Sequence, residues 1–191
     1  IVASAPIVQV LFERGKFSLD DTYNTASAVW AYAIGIPAYV MIKVLSPGFF
    51  ARGDTKTPVI IGIFALLINI IFNLLLMGPM LHVGLALATT ISAYFNASLL
   101  LFVVIRRGYL VPSEEVLRAI PRIIVSSLAL MGFIWLAINL LSHLLNGTNI
   151  EQISSLGFIV LCSIVFYTFM CHVTGGARFS TIRKILKGNN N

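Results

Sequence analysis

The chain has 191 residues, 58% hydrophobic and only 10% charged, where ordinary soluble domains carry about a quarter charged residues. Its formal charge is +6, but the basic residues fall between long apolar stretches and not in an aromatic-laced patch, which argues against nucleic acid as a partner. From Thr57 to Ile105 there are 49 residues without one Asp, Glu, Lys or Arg, more apolar chain than a water-soluble fold can hide.

In chain order, residues 1–12 are apolar but too short to cross a bilayer, and read as the end of a truncated membrane helix. Five membrane helices are expected next, over residues 26–45, 59–77, 83–105, 123–141 and 153–173. A segment of about 20 residues rising 1.5 Å each matches about 30 Å of hydrocarbon, and only a helix satisfies its own backbone there. Thr57 before Pro58 reads as a helix N-cap, Gly78-Pro79 as the turn between two spans, and Arg107-Gly108 as a helix stop. The spacing predicts an all-α polytopic bundle. Residues 13–110 hold the first three spans, 111–175 two more, and 176–191 a basic tail whose Phe179, Ile182, Ile185 and Leu186 suit an interfacial helix or a frayed end.

With five crossings, eleven Lys and Arg residues fall on one side and only Arg14 and Lys16 on the other. That bias predicts a cytoplasmic C-terminus. Cys162 and Cys171 lie in an apolar run, which argues against a disulfide framework. The Asn146-Gly147-Thr148 sequon is a weak signal by itself.

All seven acidic residues lie outside the span interiors, so no acid-based proton relay is expected. No nucleophile, base and orienting acid align, and no metal-ligand cluster appears, so the chain does not read as an enzyme and no cofactor is expected. The spans instead hold neutral polar groups. Asn69 and Asn73 share one helix face, and Thr89, Thr90 and Asn96 lie in the next span. Interhelical hydrogen bonding and contact with a ligand or ion in a polar cavity are both open to them. Gly84, Ala88 and Ser92 form a small-residue stripe for close packing, while Gly35 and Pro37 read as a helix break. Lys43, Arg52 and Lys56 gather at the cytoplasmic end as candidate gate or anion contacts, or as topology determinants. Asp54 is expected to fix their loop by pairing with Arg52 or Lys56.

Several stretches taken together resemble one family. They are Phe12-Glu13-Arg14-Gly15-Lys16-Phe17, Tyr32-Ala33-Ile34-Gly35-Ile36-Pro37-Ala38, the long block from Lys43 to Pro58 containing Ser46-Pro47-Gly48-Phe49-Phe50-Ala51-Arg52-Gly53-Asp54-Thr55-Lys56-Thr57, and Gly84-Leu85-Ala86-Leu87-Ala88-Thr89. Their order and spacing are similar to the C-terminal part of the MurJ (MviN) family of lipid II flippases, within the MOP exporter superfamily. The resemblance implies a fourteen-span parent with two six-helix lobes and two extra helices, of which this chain carries the second lobe and the extra pair. It implies alternating access in the bacterial inner membrane and undecaprenyl-linked lipid II as substrate. Membrane lipids and the missing first lobe are the implied partners. A cation site in this lobe is known for some of the wider superfamily, which makes Asn69, Asn73 and Thr89 candidate contacts; an amide at position 73, where an acid is expected, speaks against it. A polysaccharide or multidrug exporter of the same superfamily and a non-transporting membrane scaffold are the alternatives.

Overall fold

The computed structural model describes residues 1–13, 16–110, 114–145 and 147–175, with Glu115 described by its backbone alone. The basic tail and Arg14 therefore lie outside the described residues, as does Asn146 of the sequon. Among the described residues six helices follow one another: α1 Ser4–Phe12, α2 Leu19–Phe50, α3 Lys56–Arg106, α4 Glu114–Leu140, α5 Ser142–Leu145 and α6 Asn149–Val173. Four of them, α2, α3, α4 and α6, are long and apolar enough to cross a membrane. They fall into two compact units, one built on α1 to α3 and the other on α4 to α6.

Helix α3 is two limbs, not a rod. At Leu81 the backbone leaves the helical region (φ 49°, ψ −130°), and the chain turns back on itself. Asn69 hydrogen-bonds Ser92 at 3.3 Å, although 23 residues of straight helix would hold them about 34 Å apart. The expected helices at 59–77 and 83–105 fall on these limbs. The reversal itself corrects the expectation of a stop at Gly78-Pro79, because helix continues through both residues. Gly84 then permits the limbs to close: a Cβ there would fall on the Leu76 carbonyl oxygen.

Helix α2 packs along the second limb. Ala31, Gly35, Ala38, Leu45 and Phe49 form its buried seam, and Ala86, Thr90, Ala93, Ala97, Leu100 and Val104 form the facing one. Both recur at alternating steps of three and four residues (α2 skipping one step at position 42), so each presents a continuous stripe. Small residues near the middle let the backbones approach, and the pair widens toward Leu45, Phe49, Leu100 and Val104. Thr90 bonds Ala31, Tyr94 bonds Ile34 and Arg52 bonds Tyr109, at sequence separations of 59, 60 and 57. A near-constant separation means parallel helices, with their C-terminal ends together.

The expected break at Gly35 and Pro37 is also corrected, since α2 is helical through both and through Pro47. Pro37 removes one backbone donor. Around that turn, Thr90 Oγ1 donates to the Ala31 carbonyl at 2.8 Å and the Tyr94 hydroxyl to the Ile34 carbonyl at 2.9 Å, which ties the loosened segment to α3. Gly35 serves contact, because a Cβ would come within 2.8 Å of Thr90 Oγ1.

In the second unit α4 and α6 run antiparallel. Arg122 reaches Gly175, Ser126 meets Thr174 at 3.1 Å, and Phe133 stacks on Phe166 with centroids 4.5 Å apart. Thr148 caps α6, its backbone N–H donating to Glu151 at 2.7 Å.

Candidate functional site

Two places in the first unit collect polar chemistry. The first lies between α2 and the limbs of α3, where Tyr39, Asn69, Thr89, Ser92 and Asn96 line a cavity of about 290 Å³ with the small residues Gly62 and Ala65. Asn73 Nδ2 donates to Asn69 Oδ1 at 3.0 Å, the one-turn spacing that the sequence implies. Asn69 Nδ2 in turn points at Thr89 Oγ1 (3.4 Å) and Ser92 Oγ (3.3 Å) across the hairpin. The two hydroxyls donate to backbone carbonyls of their own limb, Thr89 to Leu85 and Ser92 to Thr89. Asn73 Oδ1 and Asn96 Oδ1 are buried without a hydrogen-bond partner among the described residues. The structure thus brings Asn69, Asn73 and Thr89 together and adds Ser92 as a direct partner.

The second place is where α2 and α3 end, and it is built by one local motif used twice. After α2, the N–H of Asp54 reaches the Phe49 carbonyl (3.1 Å) and that of Gly53 the Phe50 carbonyl (3.0 Å), with Gly53 at φ +72°. After α3, the N–H of Tyr109 reaches Val104 (2.9 Å) and that of Gly108 reaches Ile105 (3.0 Å), with Gly108 at φ +68°. Both are Schellman ends, which require the left-handed residue that glycine supplies. Each glycine follows an arginine, and each arginine crosses to the residue after the other glycine. The Arg52 guanidinium donates to the Tyr109 carbonyl at 3.1 Å and lies 4.6 Å from its ring centroid; Arg107 forms an ion pair with Asp54. Phe49 closes the cluster edge-on to Tyr109, with centroids 6.0 Å apart.

Asp54 therefore pairs with Arg107, not with Arg52 or Lys56 as expected. Arg52 is turned back to the Gly48 carbonyl (2.9 Å) and across to Tyr109, out of reach as a loop partner. The second Asp54 oxygen accepts the Thr57 N–H at 3.0 Å, so Asp54 does the capping assigned to Thr57, and α3 begins at Lys56. Hydrogen bonds from the Thr57 hydroxyl and N–H, reinforced by Arg107, hold the Asp54 carboxyl below the usual carboxylate range; Asp54 raises the Arg107 guanidinium in return. Lys43, Arg52 and Lys56 are all exposed, and no hydrogen bond or ion pair joins them among the described residues. Lys43 stands about 10 Å up α2 from Phe50. Arg107 and Tyr109 went unnoticed as site residues. The repeated Arg-Gly pair, at 52–53 and 107–108, is the cue that could have found them.

The second unit is apolar where the first is polar. Phe133, Leu136, Ala137, Leu140, Phe158 and Cys162 line a cavity of about 190 Å³ between α4 and α6.

The chain is similar to known proteins along most of its length. The family model described as lipid II flippase MurJ matches residues 1–157. A probable lipid II flippase MurJ of Rhizobium meliloti is 31% identical over 190 residues, covering 98% of this chain and 35% of the relative. The lipid II flippase MurJ of Burkholderia cenocepacia is 31% identical over 164 residues, covering 85% of this chain and 31% of the relative. A solved structure, lipid II flippase MurJ in an inward closed conformation, superposes with a TM-score of 0.67 at 26% identity, covering 89% of this chain and 34% of that one. The chain spans about a third or less of the length of the curated relatives it matches.

Proposed function

The chain belongs to the lipid II flippase MurJ family, and we propose that it forms the second lobe of a carrier that moves lipid-linked peptidoglycan precursor across the bacterial cytoplasmic membrane. The family match over residues 1–157, which takes in the first unit and reaches into α6 of the second, carries this reading. The physical need is a large anionic head group, which does not cross about 30 Å of hydrocarbon unaided.

In this reading α2, both limbs of α3, α4 and α6 make five crossings, and Arg52, Lys56 and Arg107 lie at the cytoplasmic face. Alternating access needs a lobe that moves as one body. The hydrogen bonds from α3 to α2 and the reciprocal arginine clamp support that stiffness. Arg52 is held by Gly48 and Tyr109, which leaves exposed Lys43 and Lys56 as the cations that attract a diphosphate to the mouth. In this reading a first lobe supplies the other wall of the central cavity. The apolar surface of α4 and α6 suits a polyprenyl tail.

Depleting the protein in cells and measuring lipid II on each leaflet tests the reading. Precursor should build up on the inner leaflet, and undiminished export would refute it. Reporter fusions after Asn191 should score cytoplasmic and those within residues 142–152 external; the reverse pattern would invert the arrangement.

A further inference from the structure

The polar cluster between the limbs of α3 consists of amides and hydroxyls only. No Asp or Glu occurs between Lys56 and Arg106, and no group of three His, Cys, Asp or Glu residues that could hold a metal occurs among the described residues. A hard cation replaces its hydration shell with several oxygens, usually including a carboxylate, and an uncompensated charge in a low-dielectric interior is costly. The oxygens here are already occupied by amide hydrogens. Asn69 Oδ1 accepts Asn73 Nδ2, and Thr89 Oγ1 and Ser92 Oγ face Asn69 Nδ2. The electropositive centre of the cluster is thus an NH₂ group. What remains for a ligand is neutral: the buried oxygens of Asn73 and Asn96, which lack a donor, the latter on a cavity with room for several waters. The residues present do not fit a bound cation.

We propose that the Asn73 amide stands in for a cation in this chain, so that the Asn69–Asn73–Thr89–Ser92 cluster is a neutral, cation-independent lock between the limbs of α3, its leftover oxygens hydrated. The Asn73 NH₂ supplies the one donor to Asn69 Oδ1, and the Asn69 NH₂ in turn faces the Thr89 and Ser92 hydroxyls across the hairpin, so the lock depends on that amide and on no ion. The proposal concerns this cluster alone and holds whether or not the chain moves lipid.

Thermal unfolding of the intact protein in detergent, in sodium chloride against choline chloride at equal ionic strength, tests it. The unmodified protein should unfold at the same temperature in both salts. Asn73→Ala, which removes the NH₂ group, should unfold at a lower temperature and by the same amount in the two salts. A saturable sodium-specific rise in the unmodified protein, abolished by Asn73→Ala or Asn69→Ala, would overturn the stand-in role. An Asn73→Ala protein as stable as the unmodified one in both salts would overturn the lock.

Discussion

The two units are both apolar helix assemblies, yet they hold together differently. In the first, polar contacts recur along the whole length: Thr90 to Ala31, Tyr94 to Ile34, Asn69 to Ser92, and the arginine clamp at the end. In the second, the α4–α6 polar contacts among the described residues gather toward one end, at Arg122, Ser126 and Ser127, and beyond them the contact is aromatic and aliphatic. Two glycines of the first unit share in this pinning, although its Gly48, Gly62 and Gly78 stand open. Gly35 and Gly84 are pressed against neighbours, whereas Gly132 and Gly157 have open space where a Cβ would go. Lipid tails are as apolar as leucine, so nothing but shape and hydrogen bonds fixes the register of membrane helices. The first unit is pinned at intervals; the second relies on dispersion and leaves an apolar surface.

The largest expected effect breaks the first unit at its tightest point. Gly84→Ala puts a Cβ on the Leu76 carbonyl, a backbone atom that cannot swing away, and should destabilise by about 3 kcal/mol in detergent unfolding. Gly132→Ala meets nothing and should be neutral or stabilising by up to about 1 kcal/mol. Equal losses at the two glycines would erase the contrast. Next comes the second unit's own anchor. Phe133→Ala removes the stack on Phe166 and should cost about 1.5 kcal/mol, with Phe133→Leu recovering part of it.

The contrast also explains what was legible in the sequence. Helix positions follow from hydropathy, and the faces of Asn69 and Asn73 from helical spacing alone, because both are local properties. The reversal was misplaced because Gly78-Pro79 is the stronger local punctuation, while the chain turns at Leu81 in a conformation that usually demands glycine. Pro37 looked like a break because the bonds that Thr90 and Tyr94 make near that turn come from residues more than 50 positions away. Asp54 was paired with its neighbours Arg52 and Lys56 for the same reason, since its real partner is 53 residues distant. Long-range partners are set by the parallel packing of α2 on α3, which no window of sequence displays.

A smaller effect sharpens the view of the first unit. Thr90→Val keeps the shape at the α2–α3 seam but removes the bond to the Ala31 carbonyl. It should cost about 0.6 kcal/mol, the usual worth of a hydrogen bond between membrane helices. A loss several times larger would mean that this bond holds the helix together at Pro37 and not merely its register.

The smallest effect lies in the clamp, where solvent screens the charges. Asp54 does two things at once, capping α3 through Thr57 and pairing with Arg107, and the two can be separated. Its carboxyl is depressed in the folded chain, chiefly by Thr57 and then by Arg107. The stability it contributes is therefore complete above the unfolded carboxylate pKa of about 4 and disappears as pH falls through the lower folded value. The gap in unfolding temperature between the unmodified protein and Asp54→Asn should stay constant above about pH 5 and close below pH 4. Arg107→Gln removes the ion pair and a looser contact with the Tyr109 ring but leaves the cap on Thr57 in place, so its smaller gap should largely vanish in about 1 M salt, while that of Asp54→Asn persists there because a cap is a short-range bond. If both gaps vanished with salt, the clamp would be Coulombic throughout, and the first unit would be pinned at its end by charge and not by geometry.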